Sequence, residues 1–262
     1  MGVYVAVAQR SFRRWSTYRA ATIAGIFTNS VFGFIRAAVL VAVVRAHPGA
    51  GGLSVEGFIT FSVLTQAMLS YVGVFGDGDD IGLRVKSGDI VTDFYRPTDF
   101  QLWWLSNDVG RGLFQLVGRG TPIVLVGALV YGLQAPKAGA VVLFAVSMVA
   151  ALLTGFGIRF LASMSSFWLL DTRGVKQLVD TAAMFGAGVI APLTLFPHWL
   201  SFVRYSPFAG LMQTPVDVYL GTVEGGAALV RVGVQIGWVL ALLAAGRYVT
   251  TLAARRVVIQ GG

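Results

Sequence analysis

Few residues of this 262-residue chain have the type and spacing that chemistry requires. With no cysteine, disulfides, thiolate ligands and thiol nucleophiles are excluded, and His47 and His198 are too isolated to form a histidine metal centre. No GxxxxGK[ST] occurs, so the chain has no P-loop and any ATP is bound elsewhere. Asp77, Asp79 and Asp80 have the opening spacing of a calcium loop, but Ile81 occupies the fifth position and the glutamate at the twelfth is absent; the cluster reads as a solvated helix end. Arg13 and Arg14 form a twin arginine without the cleavable apolar region that follows one in a signal, and read as a membrane-surface anchor. What remains are charges within apolar runs, which inside a membrane are functional candidates by default. Arg36 offers a guanidinium to an anionic headgroup; the structural reading, favoured here, is that it snorkels outward or pairs with Glu56 or Glu224. Arg119 and Asp180 fall at similar depth, and a buried pair that orients their helices accounts for both.

The elements that position these residues are those of a membrane. Only 12% of residues are charged, 56% are hydrophobic and the mean hydropathy is +0.74, whereas a soluble domain carries about a quarter of its residues as Asp, Glu, Lys and Arg. The fold class is therefore an all-α membrane protein of six transmembrane helices, forming one domain over 1–262. Spans are expected at Ala20 to Val44, Gly57 to Gly76, Gly112 to Leu133 and Ala138 to Ile158, then from Gln177 to a break at Pro192, and at Ala227 to Gly246. Residues 1–19 form an amphipathic interfacial helix: Val3, Tyr4, Val7, Ser11, Trp15 and Tyr18 share one side, and Gln9, Arg10, Arg13 and Thr17 the other. An ordinary juxtamembrane basic segment is the alternative. The arginines follow this weakly apolar start, the reverse of a cleaved signal. Residues 77–108 read as a polar loop on the same side. Residues 192–222, with prolines at 192, 197, 207 and 215, are too broken for a span and too apolar for a solvated loop, so they fold back as re-entrant helices buried against protein.

Charge sets the orientation. Of the 20 Lys and Arg, Arg36 and Arg119 lie inside spans and Arg45, Lys137, Arg204 and Arg231 on one side; the remaining fourteen fall on the side of the termini, which the positive-inside rule makes cytoplasmic. The same dispersion explains the sequence pI of about 10.2 without nucleic acid.

The stretch from Lys86 to Pro97, KSGDIVTDFYRP, resembles the cytoplasmic coupling segment of type-2 ABC exporter permeases, in which a glycine, a short helix and a proline nine residues later mark the surface that meets the ATPase. Gly88 frees the helix start and Pro97 ends it. The usual glutamate three residues after the glycine is Val91, with Asp89 and Asp93 as the acids. SGDI followed by RPTDFQLWWLSNDVGR is similar to the six-span bacterial branch of the ABC-2 family. Gly188, Pro192, Phe196, Pro197, Trp199, Leu200, Ser206, Pro207 and Phe208 are similar to the re-entrant helices before its last span.

The resemblance implies a permease subunit of an exporter in the bacterial inner membrane. It would contact lipids, hold no cofactor of its own, and work with a second permease chain, a heterodimer somewhat favoured over a homodimer. ATP and Mg would belong to partner ATPase subunits. Gly88, Asp89, Ile90, Asp93, Arg96 and Pro97 become the ATPase-coupling residues. Pro192, Phe196, Pro197, Trp199, Phe202 and Pro207 become the outer gate, unless the aromatics only anchor the membrane interface. Substrates of such systems are amphiphiles: drugs, antibiotics, lipids or glycans. An ion-coupled carrier would need acids near the midplane at broken helices, and Asp180 is the one acid expected within a span. A membrane enzyme would need clustered acids or histidines, and the 12 acids are scattered over loop ends.

Overall fold

The computed structural model describes residues 2–75, 79–137 and 139–260. Asp77 of the acidic cluster, and the expected span limits Gly76 and Ala138, lie outside the described residues. Five helices are long and apolar enough to cross a membrane: Arg19–Ala46, Val55–Val72, Phe100–Tyr131, Ala140–Phe167 and Gly225–Val257. In chain order the helices are α1 (Gly2–Ser16), α2 (Arg19–Ala46), α3 (Val55–Val72), α4 (Asp80–Ser87), α5 (Ile90–Tyr95), α6 (Phe100–Gln115), α7 (Thr121–Tyr131), α8 (Ala140–Met164), α9 (Arg173–Gly186), α10 (Gln213–Leu220) and α11 (Gly225–Gln260).

The bundle is built around α3 and α8, the two most buried spans; α2, α6–α7 and α11 stand at the periphery with most of their surface outward. Glycine lets the central pair touch. A Cβ at Gly155 of α8 would lie 2.4 Å from the carbonyl oxygen of Val72 in α3, so only a residue without a side chain permits this backbone approach. Between α6 and α7 the helix widens into a π turn, Leu116–Gly120. Pro122 lacks an N–H and its ring would clash with the carbonyl four residues back; the wider turn, in which the Thr121 hydroxyl donates to the Leu116 carbonyl at 3.0 Å, absorbs it without a break.

Three boundaries differ from the sequence expectation. The third span begins at Phe100, twelve residues before Gly112, because the Asp99 carboxylate caps it by accepting from the Leu102 N–H at 2.9 Å. The polar residues Gln101, Asp108 and Arg111, which gave this stretch the look of a loop, are turned inward and buried. Residues 80–95 are likewise two helices rather than loop. The fifth expected span is only 14 residues, α9, ~21 Å against a hydrocarbon core of ~30 Å. It ends at Gly186, before Pro192, and the chain turns at Gly188, whose φ is +76°. From there 3-10 turns at Leu193–Leu195, His198–Tyr205 and Ala209–Leu211 lead into α10.

Helix α1 packs on α6 with the middle of the side read as apolar, Tyr4, Val7, Ser11 and Trp15, buried or half-buried, while Val3 and Tyr18 at its ends are exposed. Phe12 meets Phe114 edge-on at 5.6 Å, and the Tyr4 hydroxyl accepts from the Asp99 N–H at 3.0 Å.

Candidate coupling element and pathway segment

The chain between α4 and α5 turns at Gly88, in the left-handed region at φ +81°, where a side chain would be strained. Asp89 is exposed and accepts from the Ser87 hydroxyl at 2.8 Å. Arg96 is extended and Pro97 closes the element as expected. Two of the assigned coupling residues do not face outward. Ile90 is buried in a cluster with Ile81, Phe100, Phe160 and Phe167, beneath a Phe94–Phe100 stack at 4.5 Å. Asp93 is buried between two arginines: Arg84 Nε lies 2.7 Å from its Oδ2, and Arg84 Nη2 and Arg96 Nη2 each lie 3.0 Å from Oδ1. Arg96 also lies over the Trp103 ring at 4.4 Å. The six-residue α5 presents one apolar face to the bundle, which fixes Ile90 and Asp93 as internal ties. The outward surface comes from Tyr95, 83% exposed, and Leu83, 63% exposed, which sequence reasoning did not single out.

The intramembrane charges are arranged differently from the expected pairs. Arg36 points inward: it donates to the Thr65 hydroxyl at 2.8 Å and to the Gly188 carbonyl at 2.5 Å, with the Phe61 ring 5.5 Å away. Glu224, one of its proposed partners, is bonded to Lys137 instead. Arg119 lies over the backbone of Gly25 in α2, where any Cβ would overlap its guanidinium. Lys176, one turn before Asp180 on α9, pairs with Asp79 at 3.6 Å, and Asp180 is half-buried.

The buried ionic centre is one that the sequence reading passed over. Asp108 of α6 receives Arg111 Nε at 2.7 Å on Oδ1 and Arg159 Nη2 of α8 at 2.7 Å on Oδ2. Arg111 also donates to the carbonyls of Ser70 at 2.6 Å and Tyr71 at 3.1 Å, closing the end of α3. The i, i+3 spacing of Asp108 and Arg111 was a visible signal; Arg159 was not, since only packing brings α8 alongside. Asp180 is also not the sole acid inside the bundle, because Asp217 of α10 is buried, accepting from Gln213 Nε2 at 2.7 Å and the Thr222 hydroxyl at 3.0 Å.

In the broken segment several carbonyls left without helical partners accept from side chains. The Gly188 carbonyl takes Arg36, that of Leu193 takes Arg204 at 3.1 Å, and that of Arg204 takes Arg231 at 3.1 Å. The Tyr205 carbonyl takes the Trp238 N–H at 2.8 Å and that of Gly210 takes Gln235 at 2.7 Å. Of the gate candidates, Pro192 is buried, Phe196 and Pro207 are half-buried, and Pro197, Trp199 and Phe202 are exposed.

A bundle of long apolar helices, with a compact two-helix element at one end and a broken, internally satisfied segment at the other, is the build of a membrane transport subunit. The family model described as ABC-2 family transporter protein matches residues 49–261, and the chain belongs to that family. No curated protein and no solved structure matches it.

Proposed function

We propose that this chain is one permease subunit of an ATP-driven exporter in a bacterial inner membrane, driven by separate ATPase subunits that bind ATP and Mg, and sharing its pathway with a second permease chain that is more often a different polypeptide. Its cargo is an amphiphile. The observation that carries the reading is the α4–α5 element. It is anchored on the bundle through Ile90 and Phe94, is tied together internally by the Arg84–Asp93–Arg96 cluster, and leaves Leu83, Asp89 and Tyr95 outward. A surface held rigidly on the span ends and apolar at its tip suits a partner whose motion must be passed to the membrane. Leu83→Asp and Tyr95→Ala should each lower recovery of the co-expressed ATPase subunit about tenfold or more, since aromatic and apolar anchors carry most of an interface's affinity, while the chain stays inserted. Recovery equal to wild type in both variants would refute the docking role.

Six crossings with cytoplasmic termini complete the reading. Helix α8 runs down to Phe167, beside Phe94 of α5, while α11 starts beside the Lys137–Glu224 pair at the opposite end. Residues 168–224 therefore make a net crossing, and α9 with the broken segment supplies the sixth. The exposed Trp199 and Phe202 favour an outer gate completed by the second permease chain. Because the chain has no native cysteine, Trp199→Cys or Phe202→Cys, paired with a cysteine introduced in the corresponding segment of the partner permease and treated with an oxidant, should form a disulfide between the chains and block export until reduced; full crosslinking with unchanged transport would make the segment an anchor.

One observation favours a second reading, an ion-coupled carrier: Asp217 is a buried acid beside broken backbone. Asp217→Asn distinguishes the two. Transport that needs ATP, ignores an ion gradient and persists in the variant supports the exporter; wild-type transport that tracks the gradient and is lost in the variant supports the carrier.

A further inference from the structure

Helix α9 is held at its two ends and thinly packed between them. Of its 14 residues only Ala183 and Gly186 are buried, while Leu178, Met184 and Phe185 are exposed. Its other side, through Lys176, Val179 and Asp180, borders an open cavity of about 500 Å³ that Ile81 of α4, Trp104 of α6 and Phe156 of α8 also line. Close-packed interiors resist displacement; a helix beside unfilled space has room to shift. The start of α9 is joined to the coupling element through a single carboxylate. Asp79 Oδ1 accepts from the Gly82 N–H at 2.9 Å and caps α4, whereas Asp79 Oδ2 lies 3.6 Å from Lys176 Nζ and 3.5 Å from the Thr172 hydroxyl. Thr172, which immediately precedes α9, is buried, and the Asp79 side chain is only 15% exposed, so water screens this joint less than it would a surface pair.

The other end of α9 runs into the turn at Gly188. Arg36 of α2 holds that turn by its carbonyl, and Gln213 of α10 holds the chain just beyond it by accepting from the Leu193 N–H at 3.0 Å. Both holds act on the broken segment rather than on α9 itself. A hydrogen-bonded helix moves as a stiff unit, and shifts of packed helices are a common way to carry a local displacement across a protein. We infer that α9 is the rod that passes motion of the α4–α5 element to the broken segment, and that Asp79 is its joint, one carboxylate oxygen serving each helix. Displacing α4 carries the first turn of α9 with it, toward or away from the cavity, and the far end of α9 delivers that shift to the bonds at Gly188 and Leu193. The inference rests on the reading of α4–α5 as the ATPase-docking element and adds the route by which docking reaches the far end of the bundle.

The test measures distances between spin labels in the full chain, co-purified with its ATPase and with cysteine-free partner chains, before and after Mg-ATP with vanadate. Labels on the exposed positions Gln177→Cys of α9 and Lys86→Cys of α4 are each paired with Tyr248→Cys of α11. In the otherwise wild-type chain both distances should shift, by about 2–5 Å. Asp79→Asn keeps the cap on α4, since asparagine caps as well as aspartate, but leaves Lys176 without its charge partner; Lys176→Met removes the other half. In both, the population with the shifted Gln177 distance should fall about two- to fivefold, the equilibrium weight of one part-exposed ion pair, while Lys86 shifts as before. Asp80→Asn, whose carboxylate faces Arg14 of α1 instead, should leave both shifts intact. A shift at Lys86 without one at Gln177 would overturn the rod, and a full Gln177 shift in Asp79→Asn and Lys176→Met, or an equal loss in Asp80→Asn, would overturn the joint. No shift at Lys86 would overturn the docking reading itself, and the rod with it.

Discussion

Asp93→Asn tests whether the coupling element works through rigidity or through direct contact. In the folded chain the Asp93 carboxylate is almost wholly enclosed, and it is the shared acceptor of Arg84 and Arg96, whose side chains are 32% and 35% exposed. Removing one partner of a fully buried ion pair costs ~3–5 kcal/mol, but two arginines that reach water recover part of that, so a local cost of ~1–3 kcal/mol is expected here. Arg84 would keep its bonds to the Asp89 carbonyl at 3.2 Å and the Thr92 hydroxyl at 3.1 Å, so α4 and α5 should loosen rather than separate. Amide hydrogen exchange over residues 90–95 reads this directly. Protection should fall by about 5- to 150-fold, the free energy of local opening expressed as an equilibrium constant, with little change in α3 or α8. ATPase recovery should drop less than in Tyr95→Ala, whereas ATP hydrolysis should become less coupled to transport. Unchanged protection at 90–95 would refute the argument that Asp93 is an internal tie, and a loss of ATPase binding as large as that of Tyr95→Ala would return it to the interface.

Asp108→Ala leaves Arg111 and Arg159 facing each other in a largely buried setting and should cost ~3–5 kcal/mol, seen as loss of monodisperse protein on purification; wild-type yield and stability would show the cluster to be dispensable. Gly155→Val places a branched side chain where even a Cβ lies 2.4 Å from the Val72 carbonyl, so α3 and α8 must move apart and the folded yield should fall severalfold, while Gly174→Ala, with open space around it, should be neutral. For topology, an impermeant thiol reagent applied to intact cells should label His47→Cys and Lys137→Cys but not Ser87→Cys or Arg173→Cys; labelling of Ser87→Cys would reverse the orientation.

What the sequence determined by itself was whatever local composition decides. Runs of apolar residues marked the spans because a bilayer selects for length and hydropathy one helix at a time. Gly88 and Pro97 marked a short helix because φ freedom and a missing N–H act on the chain at their own positions. The four prolines from 192 to 215 marked broken backbone for the same reason. Tertiary structure decided everything that depends on which side of a helix is covered. Phe100 to Arg111 read as loop because hydropathy counts Gln101, Asp108 and Arg111 as polar, yet burial with partners makes them interior residues. Ile90 and Asp93 read as docking contacts because a six-residue helix carries too little periodicity to tell its inner face from its outer one, and Tyr95 was left as the exposed tip. Arg36 had no partner visible within its own span; its acceptor is a carbonyl of the turn at Gly188, 152 positions away, supplied only when packing sets α2 beside the end of α9. A charge in low dielectric takes whatever partner the fold brings within reach, and sequence spacing does not record that distance.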